Sequence, residues 1–387
     1  MSAQAPQRSL TIPFIPTIPV QTRSERLSSY DPDAFELITG LELEWKRTPL
    51  QSVRPLAGDR IDGSRLQVTS KISGDASVEW IERGDARIGT AGRPEERASA
   101  NAWASFGSAL AITVRGEEPA SVVVHRGTGA EARAAHTVIT AAKHSRGIVV
   151  LQNDGPAMLS ENVEIVVDDG AQLTVVTVQE WDDDAVHLAS HFAEVGRGAK
   201  LKHVVVSLGG SVVRVNPSVH LSGESADAEL FGVYFADAGQ YLEQQVFVNH
   251  DAPNTRSRVT YKGALQGKGA HTVWVGDVLI KQSAPGTDSY EQNRNLLLTE
   301  GARADSVPNL EIETGDIAGA GHASASGRFD DEQLFYLQAR GIDEEEARRL
   351  VVLGFLSEVI QHIGSPELET RLRSTIETEL AERGDGR

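Results

Sequence analysis

The sequence predicts a mainly β protein whose core is a parallel β-helix, with a mixed α/β N-terminal region and a helical C-terminal region. Three observations predict this fold. Short β-branched runs recur between residues 108 and 318, a Gly-Ala turn motif repeats at steps of 28 and 29 residues, and helical periodicity begins after Gly327. A turn-plus-strand unit at this kind of spacing is typical of solenoids. We therefore divide the chain into residues 1–107, 108–318 and 319–387.

The N-terminal region combines an irregular start with short elements. Residues 1–30 are rich in Pro and Ser, which predicts poor order or a strap across a surface. Trp45 is a large apolar side chain that we expect to act as a packing anchor, and Pro49 should stop any helix. Short strands are expected at about residues 66–81, in two runs, followed by a helix near residues 94–104.

The central region alternates short apolar runs with turn residues. Runs of Val, Ile and Leu of this length, bounded by Gly, Asp, Asn and Pro, are typical of strands. No helical period of useful length lies between the runs, so a βαβ arrangement is not expected. The runs lie at residues 122–124, 148–150, 163–167, 173–178, 201–206, 212–213, 230–234 and 246–248.

A weak internal repeat accompanies these runs. Residues 170–173 (Gly-Ala-Gln-Leu) are echoed by residues 198–201 (Gly-Ala-Lys-Leu) and then by residues 227–230 (Asp-Ala-Glu-Leu). Further echoes lie at residues 269–272 and 301–304. A β-helix is the natural form for strands this short, because each rung buries its inward side chains on the next rung. A β-sandwich with chance Gly-Ala turns is the alternative that the pattern leaves open.

Helix signals dominate the C-terminal region. The first helix is predicted over residues 331–339, with Asp330 as N-cap and Gln333 three residues on, a capping-box spacing. Asp343 and Glu346 form a second capping box, before a helix that extends to about His362.

The third helix begins at Pro366, since Pro is favoured at the first helical position. It carries an apolar stripe with a four-residue spacing, which must be covered by the end of the β-helix, by internal packing or by another subunit. The stripe consists of Leu368, Leu372, Ile376 and Leu380.

Composition excludes several classes of function. The chain has no cysteine, so it cannot form a disulfide and cannot hold an iron–sulfur cluster by its own thiolates. Its formal net charge of −18 argues against nucleic-acid binding, which selects a basic face. Neither a signal-peptide pattern nor an apolar run of membrane-spanning length is recognised. We expect a soluble, cytoplasmic protein that does not bind membranes.

The most informative stretch extends from Pro308 to Leu337. It begins as a short strand at residues 310–312 and continues as a predicted loop made almost wholly of Gly, Ala and Ser, with His322 in its middle. An imidazole flanked by residues with almost no side chain can be approached closely by a ligand or another backbone. The alternative is a tight turn that carries a solvated or hydrogen-bonded histidine.

Other candidate motifs fail on spacing or context. Residues 263–269 look similar to a P-loop, but the spacing is wrong and no Ser or Thr follows Lys268. His187 and His191 have a metal-ligand spacing only on a helix, whereas their context indicates strands. His250, followed by Asp251, is expected in a turn with local hydrogen bonds. Neither a nucleophile-elbow motif nor a His-Glu-x-x-His motif occurs.

Several of these segments resemble SufD, a scaffold component of the SUF iron–sulfur cluster assembly system in the SufB/SufD family. The matching segments include Leu-Glu-Ile at 310–312, His-Ala-Ser at 322–324, Gln-Leu-Phe-Tyr-Leu at 333–337 and Arg-Gly-Ile at 340–342. Similar segments lie at residues 42–50 and 250–298. One departure is informative, because Ala320 stands where many relatives have a cysteine two residues before the histidine.

The resemblance implies a right-handed parallel β-helix and a non-catalytic scaffold that carries no cofactor alone. It implies pairing with a SufB-like subunit through β-helix edges, with His322 at that interface facing a SufB cysteine. There the imidazole would ligate iron or stabilise sulfide of a nascent iron–sulfur cluster. The chain could form a homodimer when isolated.

The resemblance further implies that the C-terminal helices dock a SufC-like ATPase. The residues expected at that docking surface are Phe335, Tyr336, Arg340, Phe355 and Glu358.

Three alternatives remain. SufB itself is the nearest, but a chain without cysteine cannot supply the cluster thiolate of SufB. A β-helix polysaccharide-acting enzyme and a homomeric structural β-helix are the others. The expected lack of a signal peptide argues against the former, and the C-terminal helices argue against the latter.

Overall fold

The computed structural model describes residues 27–42, 44–328 and 331–382, so the predictions for residues 1–26 and for Asp330 lie outside the described residues. Five α-helices are α1 (Leu50–Ala57), α2 (Arg97–Ser105), α3 (Asp331–Gln338), α4 (Glu344–Ile360) and α5 (Pro366–Glu382). The side chains of residues 331–333, at the start of α3, are also outside the described set.

Eighteen strands make up about half of the described chain. In chain order they are β1 (Gln67–Ser73), β2 (Ala76–Glu82), β3 (Ser108–Val114), β4 (Ala120–Gly127), β5 (Gly129–Ala141), β6 (Arg146–Gly155), β7 (Ala157–Val167), β8 (Gln172–Trp181), β9 (Val186–Val195), β10 (Lys200–Ser207), β11 (Val212–Leu221), β12 (Asp227–Ala236), β13 (Tyr241–His250), β14 (Arg256–Leu265), β15 (His271–Ile280), β16 (Thr287–Leu297), β17 (Arg303–Ile312) and β18 (Ile317–Arg328).

The strands form two nine-stranded sheets. From β3 onward, successive strands along the chain belong alternately to the second and the first sheet. The first sheet has the order β1-β4-β6-β8-β10-β12-β14-β16-β18, and the second has the order β17-β15-β13-β11-β9-β7-β5-β3-β2. All pairings within each sheet are parallel except the first, where β1 and β2 cap the sheets in antiparallel fashion. The result is a parallel β-solenoid of about eight turns, which confirms the predicted fold class.

The strand register corrects the sequence repeat at one rung. Lys200 pairs with Gln172, as the repeat predicts. On its other side Lys200 pairs with Asp227, whereas the repeat predicts Glu229, so the predicted register is wrong by two residues at this rung. Side chains in a strand alternate with period two, so a two-residue shift keeps the same residues facing inward and escapes notice. The echoes at 269–272 and 301–304 are in register but lie in the second sheet.

Inward-facing side chains of both sheets build one long core. It consists mainly of Val, Leu, Ile and Ala and is nearly inaccessible to solvent. Burial of this apolar surface supplies the driving force that holds the rungs together.

The C-terminal helices cover the outer face of the first sheet. In α5, Leu368, Leu372 and Ile376 are buried in a cluster with α4 and outward side chains of the sheet, and Leu380 packs against it. The predicted stripe is therefore covered from within the chain. The predicted second cap is confirmed, because the Asp343 side chain accepts a hydrogen bond from the Glu346 amide at the start of α4.

The segment from Trp45 through helix α1 packs on the outer face of the second sheet. Trp45 is buried as predicted, and the Arg214 guanidinium lies 3.8 Å from the centre of its ring. The Thr48 hydroxyl donates to Glu243 at 2.8 Å. Helix α1 was not predicted. Pro49 stands at its N-cap, where the missing N–H is no loss.

The segment predicted as a loop around His322 is strand β18, so that prediction was wrong. Gly, Ala and Ser are poor strand formers, but β18 pairs with β16 over eleven register positions and takes its conformation from that neighbour. The boundary predicted after residue 318 falls inside this strand. None of the described helices combines the length and apolarity that a membrane span requires.

Candidate functional site

His322 lies on β18, the last strand of the first sheet. The only strand paired with β18 in the described part of the chain is β16, and the other edge is free. His322 is the register partner of Glu291 on β16, so both side chains lie on the same face of the sheet. The His322 side chain is 43% exposed, and its Nδ1 lies 3.8 Å from Glu291 Oε1.

Glu291 is the most unusual group near this histidine. Its side chain is 1% exposed, and among the described residues neither carboxylate oxygen has a hydrogen bond of ordinary geometry. Burial and, to a smaller extent, the Asp277 carboxylate raise the pKa of Glu291 to about 8, against the lowering effect of the Asn309 backbone amide. A neutral or uncompensated carboxyl therefore lies directly beneath His322.

A glycine makes room for this carboxyl. A Cβ added at Gly276 on β15 would lie 2.4 Å from Glu291 Oε2, which is closer than such contacts allow. The Trp274 indole packs against the same glycine. The position of Glu291 thus depends on a residue without a side chain on the opposite sheet.

Polar side chains continue inward from the site. Asn293 donates to the Tyr234 hydroxyl at 2.7 Å, and Asn295 donates to Ser326 on β18 at 3.1 Å. These bonds tie the last rung to deeper rungs. Ala320 is the register partner of Ser289, so the position that the resemblance associates with cysteine carries only a methyl group.

The last rung is open to another molecule. No strand among the described residues pairs with the outer edges of β17 and β18, which present backbone N–H and C=O groups of the kind that pair with strands from another chain. Ile312 at the end of β17 is 42% exposed. No set of three or more His, Cys, Asp or Glu side chains that could hold a metal ion occurs among residues that the structure describes.

The five residues expected at the ATPase docking surface separate into two groups. Phe335 and Tyr336 on α3 are 72% and 54% exposed, and Arg340 stacks on the Tyr336 ring at 4.2 Å. Phe355 and Glu358 on α4 contact the solenoid, and Glu358 is still 58% exposed.

Both α4 residues contact one buried lysine. The Lys262 ammonium lies 4.7 Å from the centre of the Phe355 ring and forms an ion pair with Glu358. These two side chains hold the helix to the solenoid. Phe355 is half-buried and contributes less to an outer surface than the rings of α3, whereas Glu358 remains accessible.

The other histidines considered from the sequence, His187, His191 and His250, have structural partners. On β9, the imidazole of His187 contacts the Glu161 carboxylate at 3.0 Å, and that of His191 contacts His203 at 2.9 Å, all buried inside the solenoid. His250 contacts Thr255 and Ser257 through its two nitrogens. No helix carries the pair His187 and His191, in line with the sequence argument against a helical metal motif.

Sequence reasoning missed Glu291. The residue stands in a polar run, Tyr-Glu-Gln-Asn at 290–293, that reads as solvent-exposed. Alternation would have placed Glu291 on the face of Asn293 and Asn295, but only the register shows that this face is buried.

Comparison with known proteins places the chain in a family. Residues 123–355 match the model of the SUF system FeS cluster assembly SufBD core domain. An iron–sulfur cluster assembly SufBD family protein of Mycobacterium tuberculosis is 49% identical over 371 residues, covering 92% of this chain and 93% of that protein. A Mycobacterium leprae protein of the same description is 48% identical over 364 residues, covering 91% and 93%.

A second SufBD family protein of Mycobacterium leprae is 31% identical over 201 residues, covering 52% of this chain but 23% of that protein. The core-domain match spans more than half of the chain, and the high-coverage relatives extend it to nearly all of the sequence. The chain belongs to the SufBD family of iron–sulfur cluster assembly proteins.

Proposed function

We propose that the chain is a SufD-like, non-catalytic scaffold subunit of a SufBCD-type complex in the cytoplasm. The observation that carries this proposal is the position of His322, which is half exposed on a free edge strand at the open end of the solenoid. A side chain in that position can face a second subunit. The nascent cluster would be cargo at the interface and not a resident cofactor.

The edges of β17 and β18 are the surfaces proposed to pair with a SufB-like subunit. Backbone pairing across such edges provides a directional interface without requiring large side chains, and β18 has few. The same edges would allow a homodimer when the partner is absent.

The lack of cysteine favours the SufD-like role over a SufB-like one. Thiolates are the usual protein ligands of iron–sulfur clusters, and this chain has none. The His322 imidazole can ligate iron when neutral, or stabilise thiolate and sulfide when protonated. Thiolates would therefore come from the partner subunit.

The proposed docking surface for a SufC-like ATPase is the exposed aromatic face of α3. Phe335 and Tyr336 leave apolar rings in solvent, and partner subunits commonly cover such anchors. Replacing both rings with Ala should abolish co-purification with the ATPase, whereas Leu350→Ala on the neighbouring α4 should weaken it less. Undiminished capture by the double variant would refute this surface.

The test of the central proposal is His322→Ala in the assembled complex, with cluster formation followed anaerobically by absorbance. We expect cluster formation to be lost while the subunits still co-purify. The matched control is His220→Ala, because His220 is also about 40% exposed but lies in the second sheet, on β11. Unchanged cluster formation by His322→Ala would remove the assignment.

A further inference from the structure

We propose that Glu291 and His322 form a two-donor half-site for one divalent metal ion at the open end of the solenoid, completed by donors from the partner subunit. This inference rests on the proposed function for its biological setting. Its new element is Glu291 as a metal ligand contributed by this chain.

The separation of the two donors fits an ion better than a hydrogen bond. His322 Nδ1 and Glu291 Oε1 are 3.8 Å apart, whereas N–H···O hydrogen bonds measure about 2.7–3.2 Å. Metal–ligand bonds measure about 2.0–2.1 Å to His nitrogen and about 2.0–2.2 Å to carboxylate oxygen, so two such bonds span at most about 4.3 Å. An ion between the two atoms needs only a small closing movement to reach a tetrahedral angle.

The carboxyl also lacks a compensating group. Glu291 is buried to 99% of its side-chain surface, both oxygens are without a well-formed hydrogen bond among the described residues, and Asp277 adds negative charge nearby. Burying an uncompensated carboxylate is costly unless a cation or hydrogen-bond donors neutralise it. A bound divalent ion would supply the missing positive charge.

Another histidine near carboxylates shows the contrast. His220 lies 3.4 Å from Glu194 and 3.6 Å from Asp251, but Asp251 is already paired with Lys281 at 3.0 Å and accepts from Ser283 at 3.3 Å. Those charges are compensated and partly solvated. The Glu291 carboxyl has neither advantage, and His322 above it faces the end where a partner can complete the coordination.

The site is accessible to an ion. In the described part of the chain, no rung is stacked on the one formed by β17 and β18, and the His322 side chain is half exposed. On its face of β18 the neighbouring side chains are those of Ala320 and Ser324, which are small and leave the imidazole approachable. The proposed ion therefore approaches the buried Glu291 oxygens from the side of the exposed imidazole.

The experiment uses the isolated full-length chain, labelled at histidine, titrated with Co²⁺ alone under anaerobic conditions. The ring signals of His322 are assigned by their absence in His322→Ala. We expect Co²⁺ to shift those signals in the wild type. In Glu291→Gln, which keeps size and shape, the concentration for half of the shift should rise at least about tenfold, on the scale of perturbed metal sites.

The matched control is Glu311→Gln, the same substitution on β17 of the same rung, which should leave the His322 titration unchanged. Glu291→Met removes both carboxylate oxygens and keeps a similar side-chain volume. It serves as a second variant should Glu291→Gln fail to fold. Equal titrations of His322 in the wild type and the Glu291 variants, or no response to Co²⁺ in the wild type, would overturn the half-site.

Failure of this inference is distinguishable from failure of the proposed function. If the Glu291 variants bind Co²⁺ as the wild type does while His322→Ala abolishes cluster formation in the complex, only the role of Glu291 falls. If His322→Ala leaves cluster formation intact, the proposed function falls whatever the isolated chain binds.

Discussion

Replacing Glu161 with Gln should cost the protein about 3–5 kcal/mol of unfolding free energy. Glu161 and Arg126 form a fully buried pair inside the solenoid, with Arg126 Nη1 and Nη2 at 2.6 and 2.8 Å from the two carboxylate oxygens. Asn153 accepts from the guanidinium at 2.9 Å, and His187 lies 3.0 Å from the carboxylate. The amide would leave a buried guanidinium without its counter-charge.

The magnitude follows from burial. Side-chain exposures are 1% for Arg126 and 0% for Glu161, so solvent cannot screen the charge that remains. Burial alone would raise the pKa of Glu161, but the Arg126 guanidinium and His187 outweigh it and hold that pKa below its ordinary value. The pair's contribution is therefore present above about pH 4.3 and is lost as the pH falls below that value.

Equilibrium unfolding in guanidinium chloride at pH 7.5 measures the effect. The double variant Arg126→Met with Glu161→Gln should lose at least about 2 kcal/mol less than the sum of the single variants, because removing both charges leaves none unpaired. Glu194 lies beside His220, and their side chains are 32% and 40% exposed. Glu194→Gln should therefore lower the free energy of unfolding by less than about 1 kcal/mol. A loss below about 1 kcal/mol for Glu161→Gln, or additive single variants, would refute the reasoning.

Three further predictions follow from packing and titration. Glu358→Gln should lower the free energy of unfolding by about 1–2 kcal/mol, because Lys262 is buried but its partner is 58% exposed. Gly276→Ala should lower it by about 1–3 kcal/mol, since a Cβ there would lie 2.3 Å from a buried indole ring. Burial lowers the pKa of His203 to about 4, so the imidazole stays neutral in the folded state while the unfolded chain takes up protons below about pH 6.5. This one histidine should therefore lower stability by roughly 1.4 kcal/mol per pH unit as the pH falls from 6.5 towards 4.

Matched variants check each of these outcomes in the same unfolding assay. Gly84→Ala adds a methyl group where nothing lies within 4 Å, so it should be nearly silent, and equal losses at Gly84 and Gly276 would contradict the packing argument. His203→Gln should reduce the slope of stability against pH by the contribution of this one histidine. An unchanged slope would contradict the titration argument. Glu345 is an exposed carboxylate in the first turn of α4 and serves as the control. A larger loss from Glu345→Gln than from Glu358→Gln would show that the ion pair with Lys262 is not the source of the effect.

Much of the solenoid could be read from the sequence because its rungs are built from local signals. β-branched runs bounded by turn residues mark strands, and the spacing of Gly-Ala turns marks rungs. The repeat predicted the pairing of residues 172 and 200 correctly, but its register at residue 227 is wrong by two residues. A shift of two residues leaves the alternation of inward and outward side chains unchanged, so the pattern does not reveal it. The last strand was missed for the opposite reason. Its residues have weak intrinsic preference for strands, and only pairing with β16 makes it one.

The candidate site divides in the same way. His322 could be singled out from the sequence because it is an imidazole among small residues within a stretch that resembles SufD. Glu291 could not, because it precedes His322 by 31 positions and becomes its neighbour only through the solenoid coil. Likewise, Phe335 and Phe355 look equivalent as aromatic residues on helices, yet one is exposed and the other faces Lys262.

The sequence by itself determined the class of fold, the absence of thiolate ligands, the family resemblance and the histidine to examine. These properties depend on residue type and on short-range periodicity, which the chain carries locally. Only the tertiary structure decided that His322 stands on a free edge above a buried carboxyl, and that the stripe on α5 is covered from within. Those facts depend on which distant strands and helices are stacked together, and that choice is made by packing over the whole solenoid.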